Sequence, residues 1–259
     1  MLRIIIDYYR DPLVNMALDE AIFMFRSKVG FDTLRLYMWM PSGVSIGRGQ
    51  NLYETVNLEC ISRLGYKPVL RPTGGGALLH MTDGEITYSY VTGSENPVYS
   101  LDIQSSAIEI ARGVYKALEI LGVESGISGE YRSADEPLCY FRRGSSDILV
   151  NGKKISGSAQ VRSGSSLLQH GTLLLKLDPD KWACVIRGVD NRSLRDKVAS
   201  LEELGVSASI NDVYDALVEG FTSVFGGEYF QGSLLPGEIQ LADKLLREKY
   251  IPWLDSIAR

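Results

Sequence analysis

The dipeptide Asn151-Gly152 constrains the fold of this chain more than any other feature, because it sits between two runs of strand-forming residues. Asn-Gly suits a two-residue turn in which both central residues take φ > 0, and such a turn joins neighbouring antiparallel strands. Residues 147–150 and 154–161 are therefore expected to form a hairpin, and a Ser/Gly turn leads on into a third strand over 167–177. Shorter strands are expected over 2–6, 33–39, 44–46, 69–71 and 86–91, with Leu34, Leu36 and Met38 on one side of the second. Helical spacing appears over 16–25, with Leu13, Ala17, Ala21 and Met24 near one face. It is clearest over 106–121, where Ile108, Ala111, Tyr115, Leu118 and Leu121 make the stripe and Gly122 stands at the C-terminal stop. Further helices are expected over 182–187, over 213–225 with Asn211 as N-cap and Gly226 as stop, and over 238–249. Hairpins mixed with helices, without strict alternation, predict an α+β fold with a mixed, mostly antiparallel sheet and flanking helices. The expected organisation is one catalytic domain over 1–259, in which the helices of 209–259 could form a small C-terminal lobe, with no separate accessory domain.

Composition narrows the function classes. The chain has 259 residues, 45% of them hydrophobic and 23% charged, with a net charge of −5. That is an ordinary soluble globular balance. No block of Lys and Arg marks a nucleic-acid binder, and no apolar run reaches the length of a membrane span. The start, MLRIIIDYYRDP, reads as a first strand rather than a signal peptide. The three cysteines, Cys60, Cys139 and Cys184, are far apart and odd in number, which predicts a cytoplasmic protein with free thiols and argues against a disulfide framework. Cys60 and Cys184 read as core residues of helical segments. Two histidines are too few for a His-rich metal site, and no protein motif for a metal is present.

Four segments carry the candidate chemistry. In Arg71-Pro72-Thr73-Gly74-Gly75-Gly76-Ala77-Leu78-Leu79-His80, three consecutive glycines let backbone amides approach a ligand and form an anion-binding nest. Arg71 adds a fork-shaped cation suited to phosphate or carboxylate. In Asn151–Gln160, Lys154 is followed by the small residues Ser156, Gly157, Ser158 and Ala159, which leave room for a ligand against the strand. A lysine there can stabilise charge developing on a carbonyl oxygen, whereas Lys153 reads as a solvated hairpin lysine. His170, Gly171 and Thr172 interrupt an otherwise apolar strand, and Ile46-Gly47-Arg48-Gly49-Gln50-Asn51 is a second glycine-spaced polar loop.

Taken together, IGRGQN (46–51), RPTGGGALLH (71–80), DILVNGKKISGSA (147–159) and HGTLLL (170–175) resemble the lipoate–protein ligase and octanoyltransferase family, which shares its catalytic fold with biotin protein ligases. NMALDEA (15–21), Lys249-Tyr250 and Trp253 look like the family's ends. The resemblance implies that Gly74, Gly75, Gly76 and Ala77 hug an acyl chain or acyl-adenylate, that Lys154 contacts the activated carbonyl, and that His170 and Gly171 line the same pocket. Arg48, Asn51, Arg71, Thr73, His80, Asp147, Gly157, Ser158, Ala159 and Thr172 complete the implied binding set. Burying six methylenes at ~0.8 kcal/mol each gives roughly 5 kcal/mol, enough to select chain length.

Two reactions fit the resemblance. A ligase uses ATP and Mg to make lipoyl-adenylate and passes the acyl group to a lysine of a lipoyl domain or a glycine-cleavage H-like carrier protein. Gly76 and IGRGQN favour it, and it is the first expectation; with no accessory domain in the chain, it could call on a partner subunit. A transferase takes octanoate from acyl carrier protein as a thioester on cysteine. Pro72-Thr73, residues 85–89, Ser158-Ala159-Gln160, Leu168-Gln169-His170 and above all Cys139, eight residues before Asp147 and close to Arg142 and Arg143, favour that alternative. A non-catalytic lipoyl-binding homologue is a further alternative, against which Lys154 stands. The implied protein works in the cytoplasm, without nucleic acid or membrane.

Overall fold

The computed structural model describes residues 1–129 and 144–257. Its strands are β1 (Leu2–Arg10), β2 (Asp32–Trp39), β3 (Gly43–Ile46), β4 (Lys67–Leu70), β5 (Leu78–His80), β6 (Glu85–Gly93), β7 (Gly126–Ile127), β8 (Ile148–Val150), β9 (Lys153–Ser163), β10 (Ser166–Leu174) and β11 (Tyr229–Gln231). Eight of them form one sheet in the order β11-β1-β2-β6-β10-β9-β8-β7, and β4-β3-β5 form a smaller second sheet. Within the large sheet only the β1–β11 and β1–β2 pairs are parallel; the β2–β6, β6–β10, β10–β9, β9–β8 and β8–β7 pairs are antiparallel. The architecture is thus the expected α+β fold with a mostly antiparallel sheet. The β8–β9 turn has φ of 50° at Asn151 and 78° at Gly152, the two positive values for which Asn-Gly is suited.

Helices cover both faces of the large sheet. In chain order they are α1 (Pro12–Phe25), α2 (Leu52–Thr55), α3 (Leu58–Arg63), α4 (Pro97–Ser100), α5 (Ile103–Ile120), α6 (Pro179–Val185), α7 (Asn191–Lys197), α8 (Ile210–Phe225), α9 (Pro236–Leu245) and α10 (Ile251–Ile257). On one side, α5 and α8 pack together over the main core. Val114, Ala117 and Leu118 of α5 and Leu217 and Phe221 of α8 join Leu34, Leu36 and Met38 of β2 in one buried cluster. The buried stripe of α5 is centred on Ile110, Ala111, Val114, Ala117 and Leu118, while Ile108, Tyr115 and Leu121 are half-buried. The shift arises because α8 covers part of the helix that a single apolar face would leave to solvent. The N-cap of α8 is Ser209 rather than Asn211, and a capping box with Asp212 satisfies the first-turn amides.

On the opposite side lies α1, started by Asp11, whose carboxylate accepts from the Leu13 amide, and by Pro12 in the first turn. Leu13, Ala17 and Ala21 are buried, but Met24 is 50% exposed. A rotation of 100° per residue keeps position 24 within about 20° of position 13, so the exposure of Met24 comes from its place in the last turn of the helix and not from a different face. The C-terminal segment closes over α1: the Tyr250 hydroxyl donates to the Met16 carbonyl (3.2 Å), and Lys249 pairs with Glu20 at 2.7 Å. A π-helical turn over Leu246–Tyr250 follows α9 and aims both side chains inward.

The expectation of free thiols fails for two of the three cysteines. Cys60 on α3 and Cys184 on α6 are joined by a disulfide with a Cα–Cα separation of 6.0 Å. Both helices seat on one apolar cluster with Val56, Ile61, Trp182 and Val185. That packing brings together positions 124 residues apart, a proximity no local spacing reports. Among the described residues, no helix is long and apolar enough to cross a membrane.

Candidate active site

The site is built on the face of the large sheet toward α1, where β2, β6, β10 and β9 lie side by side. Register places Arg35, Ser89, His170 and Ala159 in one row, and Tyr37, Thr87, Thr172 and Gly157 in the next. The second sheet and the loop after β4 close the other side. Between them lies a cavity lined by Met16, Tyr37, Trp39, Ser45, Arg71, Leu78, His80, Thr87, Gly157, Ser158, Ala159, His170, Gly171 and Thr172. Met16, Tyr37, Trp39 and Leu78 give it apolar walls, and Ser45, Arg71, His80, Thr87, Ser158, His170 and Thr172 bring polar groups to the same space, a combination of apolar walls and convergent polar groups that suits a small ligand.

Lys154 and Asp147 form an ion pair at 2.9 Å with side chains 4% and 2% exposed. Asp147 also accepts from the Gly144 amide at 2.7 Å. A Cβ on Gly157 would lie 2.8 Å from the Lys154 Nζ and still closer to its Cε, so the glycine is what lets the lysine fold back across the strand beside the cavity wall. Lys153 is not simply solvated: it is half-buried, and its Nζ donates to the Arg195 carbonyl at 2.6 Å.

The glycine loop is held by its own arginine. Arg71 is 5% exposed, and it donates through Nη2 to the carbonyls of Gly74 (2.7 Å) and Gly76 (2.6 Å) and through Nη1 to Ser45 Oγ (3.0 Å). Its fork is therefore engaged with backbone oxygens of the loop. Gly75 has φ of 90°, a conformation that side chains other than glycine rarely adopt, and a Cβ there would also meet Arg71 Nη2 at 2.9 Å. The IGRGQN loop abuts this one: the Arg48 amide donates to the Thr73 carbonyl at 2.9 Å, while the Arg48 side chain is exposed. Asn51 is exposed, and its side chain caps α2 by accepting from the Tyr53 amide at 3.1 Å.

Each histidine lies between a buried carboxylate and a hydroxyl. His170 Nδ1 is 3.1 Å from Asp19 Oδ2, and its Nε2 is 2.7 Å from Thr73 Oγ1. His80 Nδ1 is 2.6 Å from Glu85 Oε1, and its Nε2 is 2.8 Å from Ser45 Oγ. Asp19 also accepts from Arg35 (2.8 Å) and from the Tyr37 hydroxyl (2.7 Å). Burial holds His170 below its ordinary pKa although Asp19 draws it upward. Burial alone would raise Asp19, but the hydrogen bonds from His170 and Tyr37 and the Arg35 charge outweigh it and lower its pKa.

Of the residues anticipated from sequence, Arg71, His80, Gly157, Ser158, Ala159, His170, Gly171 and Thr172 line the cavity. Thr73, Gly74, Gly75, Gly76, Ala77, Asp147 and Lys154 form its surrounding frame, with Gly74 and Gly75 exposed and Ala77 buried in the second apolar cluster. Cys139, with Arg142 and Arg143, lies outside the described residues. Sequence reasoning gave no site role to Asp19 or Glu85, although it marked the segments that hold them, and it missed Ser45 and the aromatic wall of Tyr37 and Trp39. Asp19 carried one usable signal, a charge amid the apolar positions of a helix; the others look like ordinary strand residues.

Residues 11–222 match the model of the lipoyl protein ligase A/B catalytic domain. The chain is 36% identical over 254 residues to octanoyltransferase LipM of Kyrpidia tusciae, covering 92% of this chain and 91% of that protein. A crystal structure of lipoate-protein ligase A bound with ATP superposes with a TM-score of 0.84 at 28% identity, covering 95% and 94% of the two chains. A bi-partite lipoate protein ligase from Thermoplasma acidophilum, solved in a study that includes its E2 lipoyl domain, gives a TM-score of 0.79 at 26% identity over 95% and 92%. With this match running through the β1–α1 junction, both glycine loops, the Lys154 hairpin and the His170 strand, the chain belongs to the lipoyl protein ligase A/B catalytic-domain family.

Proposed function

We propose that this enzyme moves an octanoyl group from acyl carrier protein to one lysine of a lipoyl carrier domain, through a thioester on Cys139. The observation that carries this reading is the likeness to an octanoyltransferase along nine-tenths of both chains. Two features of the molecule support it. Cys60 and Cys184 are bonded to each other, which leaves Cys139 of the three cysteines to act as nucleophile. Arg71, the cation best placed to hold a phosphate, is engaged with the loop carbonyls.

In this scheme the octanoyl tail enters the cavity between Met16, Trp39 and Leu78, and its carbonyl stops beside Lys154. The Cys139 thiolate attacks that carbonyl, the carrier's thiolate leaves, and a protein thioester results. The carrier lysine then attacks in turn; an amide forms, and the Cys139 sulfur departs and recovers its proton. Lys154, held by Asp147, donates to the oxyanion in both steps. Residues 1–259 act as one catalytic domain with the helices of 209–259 packed against it, in the cytoplasm.

The second reading is an ATP-dependent lipoate ligase, favoured by the close superposition on an ATP-bound relative. Exposed Arg48 and the amides of Gly74 and Gly75 would meet the nucleotide phosphates. Among the described residues no three acidic, His or Cys side chains gather to hold a metal, so Mg would arrive on those phosphates. A partner subunit or an H-like carrier protein fits either reaction.

The test is to incubate the enzyme and a lipoyl domain with octanoyl-acyl carrier protein in the absence of ATP, and to weigh the domain. Transfer that stops in Cys139→Ser, with one octanoyl group trapped on the wild-type enzyme, is the expected result. Transfer that needs ATP and free lipoate and survives Cys139→Ser would replace it with the ligase reading.

A further inference from the structure

We infer that Asp19 and Glu85 are positioning residues, each fixing the ring of one histidine so that the histidine pins the glycine loop through a hydroxyl, and that neither histidine carries protons in the reaction. The inference rests on the reading of the cavity as the acyl site.

Around His170 the donor and acceptor count sets the direction of each bond. Ionised Asp19 can only accept, and it accepts from Arg35, from Tyr37 and from His170 Nδ1. The His170 ring is neutral when its pKa is depressed by burial, so a proton on Nδ1 leaves Nε2 as an acceptor. Thr73, 2.7 Å away, then donates its hydroxyl proton to Nε2. Thr73 is the first residue of the loop that passes through Gly74 to Gly76, and its side chain is fully buried. The second chain reaches the same loop from the other end. Arg71 can only donate, so Ser45 accepts from it at 3.0 Å, and the same hydroxyl meets His80 Nε2 at 2.8 Å. On its other side the His80 ring is held by Glu85, with Nδ1 2.6 Å from Oε1. Arg71 in turn grips the Gly74 and Gly76 carbonyls. Both ring nitrogens of both histidines are thereby occupied within the frame. Each ring faces the cavity without a nitrogen to spare for a thiol or an amine, and proton traffic falls to other groups.

The chain has two histidines, so ring nitrogen NMR of protein labelled with 15N-histidine shows two ring systems, and His170→Gln assigns them. The expected wild-type signature of His170 is a neutral ring with the proton on Nδ1. In Asp19→Asn the amide can offer its NH₂ to Nδ1, which shifts the proton to Nε2 and forces Thr73 to accept. Thr73→Val removes the tether while keeping the side-chain shape; it should raise KM for octanoyl-acyl carrier protein about tenfold, the scale of one lost hydrogen bond, with a smaller change in kcat. Thr73→Ser should restore KM. A wild-type His170 protonated on Nε2, or Thr73→Val with wild-type KM, overturns the inference. The tautomer is read without any turnover, so it stands or falls separately from the proposed reaction, and a poorly folded Asp19→Asn leaves the wild-type spectrum and the Thr73 pair to decide.

Discussion

The two faces of strand β2 are equally dry and chemically opposite. Leu34, Leu36 and Met38 look toward α5 and α8, and Arg35, Tyr37 and Trp39 look toward α1 and the cavity; all six are 0% exposed. On the first face, contact is non-directional, and stability follows the apolar area removed from water. On the second, Arg35 is fixed by Asp7 and Asp19, Tyr37 by Asp19, and Trp39 by Thr87 and by stacking on His80 at 3.9 Å. Buried groups of that kind are costly unless every partner is in place. The sheet therefore divides its labour: one face supplies the core, and the other spends its burial on holding a loop and a lysine in one geometry.

Lys154→Ala should break the site face most severely. It removes the proposed donor to the oxyanion, a loss that typically costs two to three orders of magnitude in rate, about 3 to 4 kcal/mol. It also leaves Asp147 buried without its 2.9 Å partner, and breaking a buried pair costs about 3 to 5 kcal/mol of stability. Lys154→Ala combined with Asp147→Asn should recover most of the stability and none of the transfer. Denaturant midpoints and carrier octanoylation read the two separately, and recovery of transfer in the double variant would remove Lys154 from the chemistry. Lys153→Ala, which loses one bond to the Arg195 carbonyl, should leave the rate nearly unchanged.

Leu36→Ala sharpens the comparison from the other side. A buried leucine truncated in the main core should cost about 2 to 5 kcal/mol, yet KM, kcat and the relative rates with acyl donors of different chain length should hold at temperatures well below melting. A changed chain-length preference in this variant would mean that the faces are coupled through the strand.

The same contrast explains what could be read from sequence. Alternation of Leu34, Leu36 and Met38 betrays a strand and its core face, and Asn151-Gly152 betrays the hairpin that carries Lys154. The site frame is legible as motifs because its glycines and lysine are unusual in strands. The residues that hold the frame are not: Thr87, which accepts from Trp39, is of a type commonplace in strands, and Glu85 gains meaning only when β5 brings His80 to it. Asp19 and His170 are separated by 151 residues. The facing of Cys60 and Cys184 is lost for the same reason, since helix packing rather than local periodicity creates it. Boundary errors, such as Asn211 for Ser209 as the cap of α8, arise where two capping residues stand two positions apart.

Acid sensitivity offers the finest test of the difference between the faces, because an apolar face contributes no proton linkage and the site face does. In the unfolded chain His170 binds a proton near its ordinary value of 6.5; in the folded chain burial holds the pKa lower, with Arg71 and His80 adding to the depression and Asp19 opposing it. Below about pH 6.5 the unfolded state therefore binds a proton that the folded state refuses, so stability falls as pH drops from there to the folded pKa, and this contribution then levels off. Asp19, lowered in the folded state from its ordinary 3.8, has the same sign: its contribution is complete above that value and is lost at still lower pH. The slope from His170 alone cannot exceed about 1.4 kcal/mol per pH unit. Urea midpoints measured from about pH 7.5 to about pH 5 should decline more steeply for wild type than for His170→Gln, and Leu36→Ala should shift the whole curve down without changing its slope. Parallel curves for wild type and His170→Gln would show that His170 binds its proton as readily in the folded chain as in the unfolded one, and that burial on the site face does not depress it.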